Sequence, residues 1–286
     1  MTEYLRIVMA DPAGNRTAIV RTRVPSEKRA KIAALIMEDN ELRAEQVGFE
    51  TQPLFGGAGR LEMMGGEFCG NAARSYGYLI WREKLLNGEK IREAEQERED
   101  EAEKGTVCRG EIRIEISGAQ GLLRTACEGG GPVGRSYARM PIPVGLEVSE
   151  EGYPLVVSEG IAHMILLDTE PDEKLAESLI RHYGKSFPAF GLQFISGDSL
   201  IPLVYVAEAG SLVWESSCGS GTLAAAWYLE QKKVHKEGLP LSYSFREPGG
   251  ILDVRFFEDE DGKLCAEMGG SLSLEDEIDF PISFRA

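Results

Sequence analysis

Residues 67–79 read EFCGNAARSYGYL, and residues 217–229 read SCGSGTLAAAWYL. Placing Cys69 on Cys218 also places Gly70 on Gly219, Asn71 on Ser220 and Tyr78 on Trp227. In both copies a Cys-Gly pair precedes small and aromatic residues at helical spacing, which predicts a helix starting at each cysteine. Glycine after cysteine lets the loop turn tightly and leaves the first helical amides open. Those N–H groups and the helix dipole favour negative charge, so they suit a thiolate, with its lowered pKa, or a bound carboxylate. A lone cysteine near a helix start is more often a small core residue. Four coincidences in register instead predict two similar lobes, each offering a helix N-terminus with a thiol. Cys108, Cys127 and Cys265 lie in strand-like or loop sequence without that setting.

The chain has 286 residues, 43% of them hydrophobic and 27% charged, which fits a soluble globular protein of two domains better than one. Its net charge of −16 argues against nucleic acid or an anionic membrane as partner, because phosphate binding needs clustered Lys and Arg. The opening MTEYLRIVMADPAGN has neither a basic leader nor a long apolar run, and no stretch of eighteen apolar residues follows, so a cytoplasmic location is expected. Five cysteines at irregular spacing and three scattered histidines (His163, His182, His235) argue against a disulfide framework and a zinc site. No metal is expected.

Short β-branched or alternating runs predict strands at Leu5–Met9, Thr17–Val24, Glu111–Ile116, Pro154–Val157, Met164–Leu167, Leu203–Val206 and Leu212–Trp214. The segment EIRIEI at 111–116 alternates almost perfectly. Helices are fewer: Ser26–Asp39, with Ser26 as its N-cap, and Asp172–Tyr183, ending before Gly184. Strands and helices do not alternate as in a doubly wound fold, so the expected class is α+β. The run NGEKIREAEQEREDEAEKG at 87–105 is nearly all charge and reads as a solvated helix or surface insertion without chemistry.

Two helix-start thiols suit one reaction class. Inverting a carbon that bears an ionisable hydrogen needs a base on one face and an acid on the other, and a thiolate with a thiol can serve in both directions. The helix N-termini can hold the substrate's α-carboxylate and the charge that spreads onto it.

The chain resembles the diaminopimelate epimerase-like superfamily of cofactor-independent racemases and epimerases. The resemblance rests on AGNRTAIV with Asn15, EQVGF with Gln46, CGNA at Cys69, CGSGT at Cys218 and PGG at 248–250. Within it, GEFCGNAARSY, EQVGF, PLVYVAEAGSLVWESSCGSGT and PGGILDV are most similar to the motifs of the histidine racemases that supply D-histidine for bacterial metallophores. The resemblance implies two pseudo-symmetric lobes, each a central helix wrapped by a curved mixed sheet. The first would span 1–135, completed by 273–286, and the second 136–272. It also implies a homodimer, a small amino-acid substrate, no cofactor, and Cys69 and Cys218 as the acid/base pair. Substrate-binding candidates are Asn15, Glu45, Gln46, Gly70, Asn71, Glu215, Gly219 and Ser220. Glu45 is the proposed acceptor for an imidazole N–H, and Glu215 the partner of the α-ammonium or a cap of the motif.

Diaminopimelate epimerases hold their distal carboxylate with residues that this chain lacks. Ile161 in GIAH stands where they have Asn, Gly191 in GLQF stands at a second Asn, and Gly210 at an Arg. A carboxylate desolvated without those partners costs on the order of several kcal/mol. Histidine is therefore the expected substrate, with diaminopimelate the alternative. A thiol redox protein is the alternative of another class, but CxxC is absent and the repeated frame would go unexplained. A dead ligand-binding relative would not need both cysteines.

Overall fold

The computed structural model describes residues 3–88, 108–208, 210–233 and 238–282. All but the first two residues of the charged run at 87–105 fall outside these. The chain divides into two compact units, residues 1–138 with 269–286, and residues 139–268.

The first unit contains β1 (Glu3–Asp11), β2 (Thr17–Val20), helix α1 (Ser26–Met37), β3 (Gln46–Thr51), β4 (Arg60–Met63), helix α2 (Gly70–Leu86), β5 (Cys108–Ile116), β6 (Leu123–Gly129) and most of β7 (Val133–Met140). The second carries β8 (Gly145–Val148), β9 (Pro154–Ser158), β10 (Ile161–Leu167), helix α3 (Glu173–Tyr183), β11 (Ala189–Ser196), β12 (Ser199–Val206), β13 (Ser211–Trp214), helix α4 (Gly219–Lys232), β14 (Leu241–Glu247) and β15 (Gly250–Glu258). Then β16 (Leu264–Leu274) begins; from Gly269 the chain belongs to the first unit again, where β17 (Ile278–Ile282) pairs antiparallel with β1.

The repeat seen in the sequence extends to topology. In the first unit β1 and β2 are antiparallel, β2 and β3 run parallel across α1, β3 and β4 form an antiparallel pair, and β4 runs parallel to β5 across α2. Antiparallel β5–β6 follows. The second unit repeats each step: antiparallel β9–β10, parallel β10–β11 across α3, antiparallel β11–β12, parallel β12–β14 across α4, antiparallel β14–β15. Parallel neighbours need a crossover, and each crossover here contains a helix. The architecture is mixed α+β with few helices, as the pattern of runs predicts.

The four α-helices among the described residues fall into two kinds. In α1 and α3 only three residues each are buried, Ile32, Ala33 and Ile36, and Ala176, Leu179 and Ile180, the stripe of a surface helix. In α2 every residue from Gly70 to Trp81 is buried, and α4 buries nine. Small residues make this possible: a Cβ on Gly77 would lie 2.6 Å from Thr125 Cγ2 on β6. The Cys-Gly helices are thus core helices, which explains why their sequence is small and aromatic all round. No described helix is long and apolar enough to cross a membrane.

Two local expectations change. Ser26 is the first helical residue rather than the cap; Pro25, with φ −58°, occupies the cap and offers no side-chain oxygen. The alternation of 111–116 breaks at Glu115, which is completely buried. Its carboxylate accepts the backbone N–H groups of Leu54, Phe55 and Gly57 at 2.7, 2.7 and 3.0 Å. A loop with no ladder to join satisfies its amides on a side chain instead.

Candidate active site

The start of α2 is built from locked neighbours. Ser117 Oγ accepts from Met63 N at 2.8 Å and donates to Glu67 O at 2.9 Å. Gly118, at φ +73°, lies so close to the next peptide that a Cβ would stand 2.2 Å from Phe68 N. The chain reaches Cys69 in extended geometry, φ −125° and ψ 114°, as the N-cap of α2, and Cys69 Sγ accepts the Ala72 N–H at 3.3 Å. One turn on, the fully buried Arg74 donates from Nε to Asn71 Oδ1 at 3.1 Å and from Nη1 to Gly270 O at 3.1 Å. A guanidinium only donates, so the oxygen of Asn71 is the atom that faces it.

In the same unit the parallel pairing of β2 with β3 sets Thr17 opposite Gln46. That register gathers the other three candidates of the N-terminal half. Asn15 Nδ2 donates to Glu45 Oε2 at 3.3 Å, while Glu45 N bonds Arg16 O at 2.8 Å. Asn15 Oδ1 and Gln46 Oε1 are buried with no hydrogen-bond partner among the described residues. Buried polar atoms are nearly always paired, so two unmet acceptors in neighbouring segments are unusual. Glu45 is half-buried, not a freely solvated strand edge.

In the second unit Cys218 is the N-cap of α4 in matching geometry, φ −128° and ψ 101°. Its N–H donates to Glu247 Oε2 at 2.7 Å, and Thr222 Oγ1 donates to the other oxygen of the same carboxylate. The Pro248–Gly250 turn helps fix this corner, Gly249 N bonding Ser216 O at 2.7 Å. Ser220 Oγ lies 3.6 Å from Cys218 Sγ and 3.0 Å from Nε2 of the fully buried His163.

The expectation of a lowered pKa fails for Cys218. Burial is the main reason: the sulfur's residue is 6% exposed, and leaving water penalises the thiolate. The carboxylates of Glu215 and Glu247 push the same way, and together these effects hold the thiol well above its ordinary value against the help of Ser220. Glu215 thus faces the thiol.

A histidine racemase domain, described as the N-terminal domain of histidine racemase CntK, matches residues 4–274. A histidine racemase of Fusobacterium nucleatum is 32% identical over 245 residues, covering 81% of this chain and 83% of that protein. The chain belongs to the histidine racemase family. A histidine racemase of Staphylococcus aureus is 24% identical over 282 residues, covering 94% of this chain and 92% of its own length. Among solved structures, a Bacillus anthracis phenazine biosynthesis protein of the PhzF family shares the fold at TM-score 0.64 and 13% identity, covering 99% of this chain and 100% of that one.

For a histidine racemase the ten candidates separate cleanly by unit. Asn15, Glu45, Gln46, Cys69, Gly70 and Asn71 lie in the first; Glu215, Cys218, Gly219 and Ser220 in the second. His163 and Gln193, which lie behind Ser220, and Glu247, which holds the Cys218 amide, were not among them, nor was Thr222 one turn into α4. His163 and Gln193 stand inside GIAH and GLQF, two of the three stretches set against diaminopimelate epimerases, so the signal for them lay beside the departing residues Ile161 and Gly191. Among the described residues no three His, Cys, Asp or Glu side chains cluster as a metal site.

Proposed function

We propose that this chain interconverts L- and D-histidine without a cofactor, Cys69 and Cys218 exchanging the roles of base and acid. The observation that carries the reading is the paired one: two core helices, each capped by a cysteine, each followed by glycine, in two units of the same topology. In one direction a thiolate removes the α-proton and the other cysteine's S–H protonates the opposite face; the reverse reaction exchanges the two. The N-termini of core helices such as α2 and α4 are suited to the α-carboxylate and to the charge that develops on it. The raised pKa of Cys218 favours its thiol form in the empty enzyme, the form that delivers a proton. Location in the cytoplasm, assembly as a homodimer and delivery of D-histidine to a metallophore pathway remain part of the proposal.

Substrate choice follows from what surrounds the side chain. Glu45 supplies a carboxylate for the imidazole N–H, already half-buried and held by Asn15. Ile161, Gly191 and Gly210 stand where diaminopimelate epimerases have partners for a distal carboxylate, and they offer it none. Position 191 is also closed to a larger residue, since a Cβ there would stand 2.2 Å from His163 Nδ1.

The test is α-proton exchange in deuterated water with single L-amino acids and no added cofactor. Histidine should wash in deuterium and racemise, while LL- and meso-diaminopimelate exchange at least about 10²-fold more slowly, as expected when a buried carboxylate lacks its partners. Comparable rates would overturn the substrate assignment, and no exchange at all would overturn the activity. Glu45→Ala should lower kcat/KM for histidine by about 10- to 100-fold, the worth of a hydrogen bond to a charged group. An unchanged value would remove Glu45 from the imidazole's surroundings.

A further inference from the structure

Behind Cys218 lies a buried chain of polar groups that the two-cysteine reaction does not by itself call for. Strands β10 and β11 run parallel with His163 opposite Gly191. The missing side chain of Gly191 leaves the space that the His163 ring fills. Gln193, two residues on and so on the same face of β11, brings Nε2 to 3.0 Å from His163 Nδ1. From His163 Nε2 the chain continues 3.0 Å to Ser220 Oγ and then 3.6 Å to Cys218 Sγ. Gly221 also yields to it, since a Cβ there would stand 2.4 Å from Gln193 Oε1.

We propose that Gln193 and His163 are positioning residues for Cys218, forming a directional hydrogen-bond chain that aims the Ser220 hydroxyl proton at the Cys218 sulfur. The direction follows from counting donors. Complete burial lowers the His163 pKa to about 3, so the ring is neutral and has one donor and one acceptor. Gln193 presents its NH2 to Nδ1 and leaves Oε1 against Gly221, without a hydrogen-bond partner among the described residues. The opposite amide orientation would point two N–H donors at that spot, and orphaned buried N–H groups are rarer than under-used carbonyl oxygens. Nδ1 therefore accepts, Nε2–H donates to Ser220 Oγ, and the serine proton is left for the sulfur.

A donor fixed on Sγ stabilises the thiolate more than the thiol. Burial, Glu215 in the segment before α4 and Glu247 at the end of β14 all oppose the thiolate, and this donor works against them alongside the dipole of α4. His163 and Gln193 hold that donor in place without charge of their own.

The kinetic part rests on the racemase reading; the tautomer and thiol measurements do not. In protein labelled with ¹⁵N-histidine, the His163 signal, assigned by its loss in His163→Gln, should be that of the neutral Nε2–H form from pH 5 to 9. An Nδ1–H form, or titration in that range, overturns the chain. Ser220→Ala and Gln193→Met should each slow alkylation of Cys218 at fixed pH by about tenfold, the worth of one hydrogen bond to a charged group, by shifting its pH dependence upward. If the family activity holds, kcat falls about as much, its pH profile shifts the same way and KM stays within about twofold. Ser220→Ala removes only an oxygen from a partly exposed residue and serves should the buried Gln193 variant not fold. Alkylation that follows the wild-type pH dependence in Ser220→Ala overturns the proposal, whether or not the enzyme racemises histidine.

Discussion

Serine in place of either Cys69 or Cys218 should lower kcat for histidine racemisation by at least roughly 10²–10⁴-fold, the share that a positioned acid or base supplies. Serine is the informative replacement because it leaves both helix starts intact. At position 69 it keeps an acceptor for the Ala72 N–H and is among the best N-caps. At position 218 the anchoring bonds are made by the backbone: the N–H donates to Glu247 and the carbonyl accepts the Thr222 N–H. The variants should therefore melt close to the wild type while losing turnover, because a hydroxyl holds its proton far more tightly than a thiol. The other cysteines give the contrast. Cys127 is buried in the first unit's core, where burial raises its thiol, and Cys265 donates to Asp259 Oδ2 at 3.4 Å and Lys263 O at 3.3 Å in the turn before β16. Serine at 108, 127 or 265 should change stability at most. A Cys69→Ser or Cys218→Ser enzyme keeping more than about a tenth of wild-type kcat would end the two-base mechanism, since such a base cannot be dispensable.

What could be read from the sequence, and what could not, divides along the range of the interaction. The Cys-Gly helices were legible because their signal is local: a cap residue, a glycine, then small residues. Asp172 was legible as the start of α3 for the same reason, its side chain accepting the Leu175 N–H at 2.7 Å. Strands buried on both faces were harder. Five successive residues of β11 from Gly191, LQFI included, are buried with few contrasts, so they show no period of two. Glu115 broke an apparent alternation because three loop amides some sixty residues earlier in the chain needed its oxygens. Glu247 reads in REPGG as an ordinary charged residue before a turn, yet it holds the amide of Cys218 from 29 positions away. The state of Cys218 was lost to the sequence for that reason: the helix dipole is a local property, whereas burial and the facing carboxylates are tertiary.

The opposing environments of the two thiols should also separate them chemically. In the substrate-free enzyme near neutral pH, iodoacetamide should modify Cys69 more than about tenfold faster than Cys218, because each unit of raised thiol pKa costs tenfold in thiolate. Cys69 is half-buried, caps α2 and takes a hydrogen bond from Ala72. Cys218 has the same helix dipole behind it, but burial, Glu215 and Glu247 work against its thiolate. The sign with pH is fixed by that direction: as pH rises the Cys218 thiolate population grows, so its labelling should keep increasing through a range above that of an ordinary thiol. Peptide mapping after timed quenches reads the two sites separately, and in denaturant, where burial and carboxylates are gone, their rates should converge. Equal rates in the folded enzyme would mean that the carboxylates do not act on Cys218. Faster labelling of Cys218 would mean that burial and the carboxylates do not hold its thiol.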